Sequence, residues 1–434
     1  MDRAVSGFAA RREKVVSQSS MNKASPIHAA ESAGKVETAA AFGPLAGVKV
    51  LDFSRVVAGP LCGLYFADLG AEVIKIEAPG GDENRRWEPA LAGTSAGFAY
   101  LNRGKRGMTL NLKTEAGQEV LRSLVANADV VIDSYLPADA DVLGMSHSKL
   151  LAMNPEIIHV SVSAYGAIGP MRNHPGYDLL LQAFTGIMQM TGEADGPPNR
   201  AGASVVDLST GMIAFGHAMS ALYARAVGRA RGEHVQASLL QSGLALMSTH
   251  VANLAIGGAE PKRQGSGLWN LVPYQAFQAA DGWVLIGVTN DGAWQRFCAA
   301  LELDELGGDP AYATARGRID NRNVIVSTIQ ALVGTRTVAD LVKILEPARV
   351  PVSPINTLRD VLDHEQVRAV NAMVPIAGLE DSPVRVVGRP VTFSSAYEQP
   401  VRPPPELGQH NSEILGELGL APEEVRELNA RGAF

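Results

Sequence analysis

Val48-Lys49-Val50-Leu51-Asp52-Phe53 is a short β-branched and apolar run fit for a buried strand. After it come Ser54-Arg55-Val56-Val57-Ala58-Gly59-Pro60, a helical spacing of Leu61, Leu64, Tyr65, Ala67 and Leu69 closed by Gly70, and a second strand-like run, Glu72-Val73-Ile74-Lys75-Ile76-Glu77. Strand, glycine-containing loop, helix and strand within about thirty residues make a βαβ unit, which implies a parallel sheet with right-handed crossovers. The glycine-rich dinucleotide fingerprint is missing from the first loop, so a nucleotide there is not gripped in the usual pyrophosphate turn. Asp129-Val130-Val131-Ile132-Asp133 and Ile157-Ile158-His159-Val160-Ser161-Val162-Ser163 each end an αβ repeat and extend the sheet.

The last of these strands leads through Ala164 to Pro170 into Arg172-Asn173-His174-Pro175-Gly176-Tyr177-Asp178, and from there into an apolar, helix-compatible segment, Leu179 to Met190. Asp178 stands at the junction, where two roles are open to it. Its carboxylate can cap the helix it precedes, or it can attack a carbonyl as a covalent nucleophile. In open α/β sheets binding residues collect beyond the carboxyl ends of strands, and Asp178 lies in such a connection.

A second charged loop, Asn102-Arg103-Gly104-Lys105-Arg106-Gly107, places three cations in four positions between glycines, a composition that suits phosphates as well as a solvated turn. The chain as a whole carries 38 Lys and Arg against 45 Asp and Glu, net charge -7, which argues against a general nucleic-acid partner. Cys62 and Cys298, each in apolar surroundings, read as buried thiols of a reducing compartment, with no second pair to build a metal site. No secretory h-region and no uninterrupted apolar run of membrane-spanning length is found, so a soluble cytoplasmic protein without a membrane partner is expected.

At 434 residues with 46% hydrophobic side chains, the chain is long enough for more than one core. Residues 1–43 mix Ser, Ala, Lys and Glu without an apolar stripe and are expected to be a flexible arm. Residues 44–225 hold the large α/β domain. Residues 226–267 read as a helical linker ending in the glycine-rich stretch Gly257 to Gly267. Residues 268–350 form a smaller α+β domain, opened by a hairpin from Tyr274–Ala279 to Trp283–Val288 across Asp281-Gly282, with helices at Asp291 to Leu301, Arg322 to Leu332 and Thr337 to Leu345. Residues 351–434 contain Pro403-Pro404-Pro405 and end in a short helix from Pro422.

Six of these motifs occur together and in order. They are Val50-Leu51-Asp52-Phe53 with Ala58-Gly59-Pro60, Leu69 to Glu77, the Asn102 to Arg106 turn with Leu110-Asn111-Leu112, Gly176-Tyr177-Asp178, Asp281-Gly282-Trp283, and Gly408-Gln409-His410-Asn411. From about Leu45 onward the chain resembles the family III coenzyme A transferases of the CaiB/BaiF type, the formyl-CoA transferase-like proteins related to α-methylacyl-CoA racemases. The resemblance implies a Rossmann-like large domain built from N- and C-terminal segments, a smaller inserted domain, and an interlocked homodimer. It implies no permanently bound cofactor and no metal: coenzyme A enters as a thioester substrate, with a carboxylic acid as acceptor. The family's nucleophile falls on Asp178, which would form a mixed anhydride and then an aspartyl-CoA thioester, with Gln182 as an oxyanion or positioning group. CoA contacts fall on Val56, Val57 and Ala58, and on Asn102, Lys105 and Arg106 in the basic turn. Tyr177 and the Gly265-Ser266-Gly267 loop fall at the substrate or lid positions.

Departures accompany the resemblance. An arginine that contacts CoA in some members falls on Ala78, which shifts phosphate binding toward Lys105 and Arg106, or Arg85 and Arg86. An Asn-Phe-Arg-Pro-Gly-like segment is replaced by Asp133-Ser134-Tyr135-Leu136-Pro137-Ala138. Arg172, His174 and Arg200 near the expected pocket favour an anionic acceptor, a small dicarboxylate, as much as they suit ordinary surface charge. Two other functions share the fold: an α-methylacyl-CoA racemase and a noncatalytic CoA-binding homologue. The racemase needs a His some thirty residues before the Asp, where this chain has Ser148 with His147 one residue away. On a helix that displacement turns a side chain by about 100°.

Overall fold

A computed structural model describes residues 43–91, 94–258, 260–375, 385–394 and 401–434, so the expected arm lies outside the described residues apart from Gly43. The βαβ unit is formed by β1 (Lys49–Asp52), α1 (Ala58–Asp68) and β2 (Glu72–Glu77). Next come α2 (Ala96–Asn102), β3 (Arg106–Thr109), α3 (Glu115–Ala126), β4 (Val130–Asp133), α4 (Pro137–Val142), α5 (His147–Met153) and β5 (Ile158–Ser163). The large unit continues with α6 (Asp178–Phe184), α7 (Ile187–Met190), α8 (Val205–Ala226) and β6 (Glu233–Ser238). Six parallel strands lie in the order β3-β2-β1-β4-β5-β6. The direction of winding reverses between β1 and β4, and at such a switch point an open α/β sheet leaves a crevice beyond its carboxyl ends.

Two of the six strands depart from the sequence expectation. Arg106 and Gly107, expected at the end of the Asn102 to Gly107 basic turn, instead open the edge strand β3, because Gly107, Met108 and Thr109 are buried beside β2. Glu233–Ser238, inside the expected helical linker, is the opposite edge strand, with Val235 and Ala237 turned into the core. The β3 edge is covered by the returning C-terminus. Gly107 N–H donates to His410 Nδ1 at 2.9 Å and Thr109 N–H to Asn411 Oδ1 at 2.9 Å, so the Gly408 to Asn411 motif pairs the strand that would otherwise be open.

Alternation along each strand sends side chains to two cores. Val50, Val73, Val130, Ile132, Val160 and Val162 meet α1 and α8 on one face, where Ala214, Ala218 and Leu222 are buried. Leu51, Ile74, Val131 and Met108 meet α3 and α5 on the other, together with Ile414, Leu415 and Leu428 from two helices near the C-terminus. Each fully buried aliphatic side chain contributes about 1.5–3 kcal/mol. Helix α8 is long and apolar enough to cross a membrane by length and composition, but it lies on the sheet against α1, β5 and β6.

Beyond α9 (Leu239–Leu246) and α10 (Ser248–Gly257), a second core forms around an antiparallel sheet of β7 (Tyr274–Gln278), β8 (Trp283–Gly287) and β9 (Val352–Pro354), in the order β9-β8-β7. Its helices are α11 (Asp291–Ala300), α12 (Asp304–Gly308), α13 (Ala315–Asp320), α14 (Arg322–Val333) and α15 (Val338–Leu345), enclosing Phe277, Ile286, Trp294, Phe297 and Ile329. The third strand begins after residue 350, so this unit reaches past the expected boundary. The chain then runs through α16 (Leu358–Asp363), α17 (Glu365–Ala369) and a ribbon of β10 (Met373–Pro375) and β11 (Arg385–Val387). It closes with α18 (Asn411–Glu417) and α19 (Pro422–Ala430) on the large unit.

Candidate active site

Asp178 is the first residue of α6 and is 6% exposed. Two neighbours explain its placement. Gly176 has no room for a side chain, since a Cβ there would lie 2.7 Å from Ala164 Cβ and 2.9 Å from Leu181 Cδ2. Leu181, one turn after Asp178, is fully buried in the core beneath. The local cap that the sequence allowed does not form: no side chain caps α6. Asp178 caps a different helix. Its Oδ1 accepts the N–H of Val206 at 2.8 Å and of Asp207 at 3.2 Å, at the start of α8, whose flanking Ser204 provides no side-chain cap. Helix α8 spans 22 residues and turns the positive end of its dipole on the carboxylate.

The second oxygen, Oδ2, accepts Nε2 of Gln182 at 2.5 Å. Gln182 is fully buried, and its Oε1 accepts the Ala201 N–H at 2.9 Å, which fixes the amide with its donor toward Asp178. Sequence spacing alone put Gln182 one turn from Asp178. The structure adds Asp207, which the sequence reading passed over as an ordinary position near a helix start. Burial, and then the charge of Asp178, push the Asp207 carboxyl up to about 7. Two carboxyl groups in one site, one of them keeping its proton through weakly acidic pH, is an arrangement suited to anion chemistry. Tyr177, Leu179, Leu180 and Phe184 are exposed around this site.

The loop after β1 is braced by buried charge. Asp52 and Lys105 pair at 2.7 Å with both side chains fully enclosed, and Lys105 Nζ also donates to Pro60 O at 2.8 Å and Asn102 Oδ1 at 3.0 Å. Burial opposes both charges: it raises Asp52, but Lys105 and Lys75 bring that carboxyl below its usual range, while Lys105 is lowered by its own burial. Lys75 reaches Ser54 O and, at 3.3 Å, Asp82. Val56 and Val57 are partly exposed, and Ala58 is buried.

The residues expected to hold the CoA phosphates are engaged by protein groups. Lys105 is enclosed and committed to Asp52, and Asn102 to Lys105 and to Phe98 O. Arg106 lies among Glu72 at 2.6 Å, Glu417 at 2.9 Å and Glu413 at 3.1 Å, tying β3 to α18. Arg85 is bound by both oxygens of Glu77, at 2.7 and 2.8 Å, and its guanidinium lies 3.8 Å from the centre of the Phe98 ring. Arg86 is exposed, as is Arg55 in the β1 loop, whose N–H donates to Ser134 Oγ at 3.0 Å from the loop after β4. Arg55 therefore stands at the switch point, a position that the strand order reveals and the sequence did not. Arg172, His174 and Arg200 are also exposed, and Arg200 directly precedes the N–H that orients Gln182.

The Gly257 to Gly267 stretch, expected as a mobile linker, is tied down at its end. Gly265 N–H donates to Gly192 O at 2.9 Å, Arg263 donates to Gln189 O at 3.1 Å, and Ser266 Oγ accepts the Ala276 N–H at 3.0 Å. Of the expected lid residues, Gly265 is thereby fastened to the segment that follows α7 and Ser266 to β7, while the Gly267 N–H donates to Gln264 O at 2.9 Å.

Among the described residues one cluster has metal-ligand chemistry: His147, His159 and His234. Their ligand atoms lie within 4.8 Å of one another, and the rings are nearly parallel, with centroids 4.5 Å apart from His234 to each of the other two and 5.7 Å apart between His147 and His159. His159 contacts Asp133 at 2.5 Å and His234 contacts Ser161 at 2.9 Å. The cluster lies on the α5 face of the sheet, opposite the face that carries Asp178, so His147 does not pair with Asp178 as a racemase would require. Cys62 and Cys298 are free and buried, and burial pushes the Cys298 thiol up to about 12.

Residues 45–411 match the family described as CoA-transferase family III. The chain belongs to CoA-transferase family III. It is 36% identical over 377 residues to the succinyl-CoA:glutarate CoA-transferase of Mus musculus, covering 86% of each chain. It is 33% identical to a succinyl-CoA:mesaconate CoA-transferase of Haloarcula marismortui, covering 87% of this chain and 97% of the relative. A crystal structure of a CaiB/BaiF family protein from Brucella suis superposes with a TM-score of 0.79 at 34% identity, over 87% of this chain and all of that one. The protein is thus a CoA-transferase, with the CaiB/BaiF fold of a large parallel-sheet domain and a smaller inserted one.

Proposed function

We propose that this transferase moves coenzyme A from an acyl-CoA thioester to a small dicarboxylic acid, with Asp178 as the covalent nucleophile. An Asp178 oxygen attacks the thioester carbonyl and the CoA thiolate leaves, giving a mixed anhydride. The thiolate then attacks the aspartyl carbonyl, releasing the donor acid and leaving an aspartyl-CoA thioester. The acceptor carboxylate displaces the thiolate to form a second anhydride, and the thiolate attacks its acyl carbon, which regenerates the Asp178 carboxylate. The observation that carries this reading is the pairing of Asp178 Oδ1 with the Val206 and Asp207 N–H groups. The same two donors can hold the oxyanion that forms each time the aspartyl carbonyl is attacked.

A dicarboxylate acceptor is supported by the exposed Arg172, His174 and Arg200 and by relatives named for glutarate and mesaconate. Arg55 and Arg86 are the cations we assign to the CoA phosphates, with Val56, Val57 and Ala58 as backbone contacts. The apolar residues exposed on α6, α8 and α10, among them Leu180, Phe184, Met212, Tyr223, Val251 and Ile256, support a homodimer interlocked through these helices, in a cytoplasmic enzyme. Acyl-CoA donors assayed against free acids, with products identified by mass, test the substrate class. Acid quench and peptide mapping should find an acyl or CoA adduct, or its hydroxamate after hydroxylamine, on Asp178. Transfer without any such adduct would reject the covalent route.

A further inference from the structure

Val56 has a φ of 69°, in the left-handed region, one of four non-glycine residues so placed among those described. A β-branched side chain is a poor choice for that region, so the surrounding structure must impose the conformation. The groups that impose it come from the loop after β2. Asp82 Oδ2 accepts the Val56 N–H at 3.3 Å, and Asn84 Nδ2 donates to the Val56 carbonyl at 2.9 Å. Both polar groups of one strained residue are thus held by two side chains that are 2% and 1% exposed.

The holders are themselves fixed. Asp82 receives Lys75 Nζ at 3.3 Å on the same oxygen and the Asn84 N–H at 3.0 Å on the other, and its own N–H donates to Glu77 at 2.8 Å. Asn84 is backed by Ser95, whose Oγ reaches its Oδ1 at 3.3 Å and its carbonyl oxygen at 2.5 Å. On its other side the loop is anchored where Lys75 meets Ser54 O and where Gly59 passes Ser54 too closely for any side chain, a Cβ there lying 2.2 Å from Ser54 Cβ. A relaxed Val56 would redirect the peptide planes leading into Val57 and Ala58.

We infer that Asp82 and Asn84 are positioning residues that hold Val56 in the left-handed conformation, so that the Val56 to Ala58 backbone is set to receive acyl-CoA. The inference rests on the proposed reading of that loop as a CoA contact. Neither side chain touches the reacting atoms. Their effect belongs to substrate binding, with the chemical step at Asp178 left intact.

Glycine adopts a positive φ without strain, which supplies a rescue test. Asn84→Ala should raise KM for acyl-CoA about tenfold and change kcat less than about threefold. Val56→Gly alone sets the reference against which the double variant is read. In the double variant, Val56→Gly should recover at least half of the lost affinity on a logarithmic scale. If Asn84→Ala does not fold, Asn84→Asp, which keeps its volume but cannot donate to the Val56 carbonyl, takes its place. An Asn84 variant with unchanged KM, or a double variant no better than the single, overturns the proposal. Calorimetry with CoA separates the two levels: a wild-type chain that binds no CoA overturns the functional reading together with this inference. Equal CoA affinity of wild type and Asn84 variant overturns this inference alone.

Discussion

The Val206 N–H donates to Oδ1 of Asp178 at 2.8 Å, so the residue that begins one helix caps another that starts 27 residues later in the chain. Capping and nucleophilic attack are therefore two uses of one carboxylate, and substitution separates them. Asp178→Asn retains an oxygen for the α8 N–H groups and should fold, its loss of stability confined to the NH2 group it turns toward Gln182. Asp178→Ala leaves those donors without an acceptor and should cost about 1 kcal/mol. Both should be inactive in CoA transfer. Asp178→Glu should also fail, since an added methylene misplaces the attacking oxygen. Substantial transfer by Asp178→Asn would leave the residue as a cap only.

Gln182 is oriented by Ala201, and its amide donor faces Asp178. Asp178→Asn therefore sets one NH2 group against another. Replacing Gln182 by Glu in that background supplies an acceptor for the Asn amide while keeping one for Ala201, so thermal melts should show the double variant at least as stable as Asp178→Asn. Gln182→Glu alone places two carboxylates together and should be less stable at pH 7 than at pH 5. If the double variant is less stable than either single variant, the amide orientation is wrong.

Arg106 holds three carboxylates from two elements, but Glu413 and Glu417 are more than half exposed, which limits each pair through solvent screening. Arg106→Ala should lower stability by about 1 kcal/mol and leave KM for acyl-CoA unchanged, whereas Arg55→Ala should raise that KM about tenfold with little loss of stability. Denaturant melts and steady-state kinetics on the two variants check this, and the reverse pattern would return phosphate binding to the basic turn.

The βαβ unit, the small hairpin and the Asp178 junction were legible because each is written in local pattern: strand runs, glycine punctuation and a polar residue at a helix start. What escaped was set by distant partners. Arg106 looked like a free cation since Glu413 and Glu417, more than 300 residues away in the chain, neutralise it only after the C-terminus returns. Lys105 looked exposed because a buried lysine is rare unless paired, and its partner Asp52 lies in a strand run more than fifty residues earlier. Glu233–Ser238 was hidden by the polar alternation of an edge strand, which gives a weaker signal than the apolar runs at the sheet centre. Asp207 gained its character from packing against Asp178, and no spacing rule connects positions 178 and 207.

Stability should also record the histidine stack. Burial, then the neighbouring His159 and His147, bring His234 down to about 3, and burial lowers His147 as well. Glu233 and Asp133 are the acidic groups at the cluster, and Glu233 favours the charged form of His147. Below pH 6.5 the unfolded chain takes up protons that the folded chain refuses, so stability should fall steadily as pH drops from about 6.5 toward 3. His234→Gln removes one of these groups and should flatten the decline. Denaturation midpoints at pH 7 and pH 5 measure it, and an equal decline in both proteins would exclude the stack as the cause.

Asp207 predicts the opposite slope and links it to activity. Its folded-state pKa of about 7 lies above the ordinary carboxyl value of 3.8, so the folded chain holds a proton that the unfolded chain has released. The stability this provides is fully present below 3.8 and is lost as pH rises through about 7; Asp207→Asn, which cannot ionise, should not show that loss. The same ionisation adds a second negative charge beside Asp178, where an anionic acceptor must approach. For the wild type, kcat/KM for the acceptor acid should therefore fall as pH rises past about 7, while Asp207→Asn should give a flat profile over that range. A pH–rate profile of both proteins with one acyl-CoA donor decides the matter: an unchanged inflection in Asp207→Asn assigns it to another group and leaves Asp207 without a part in the reaction.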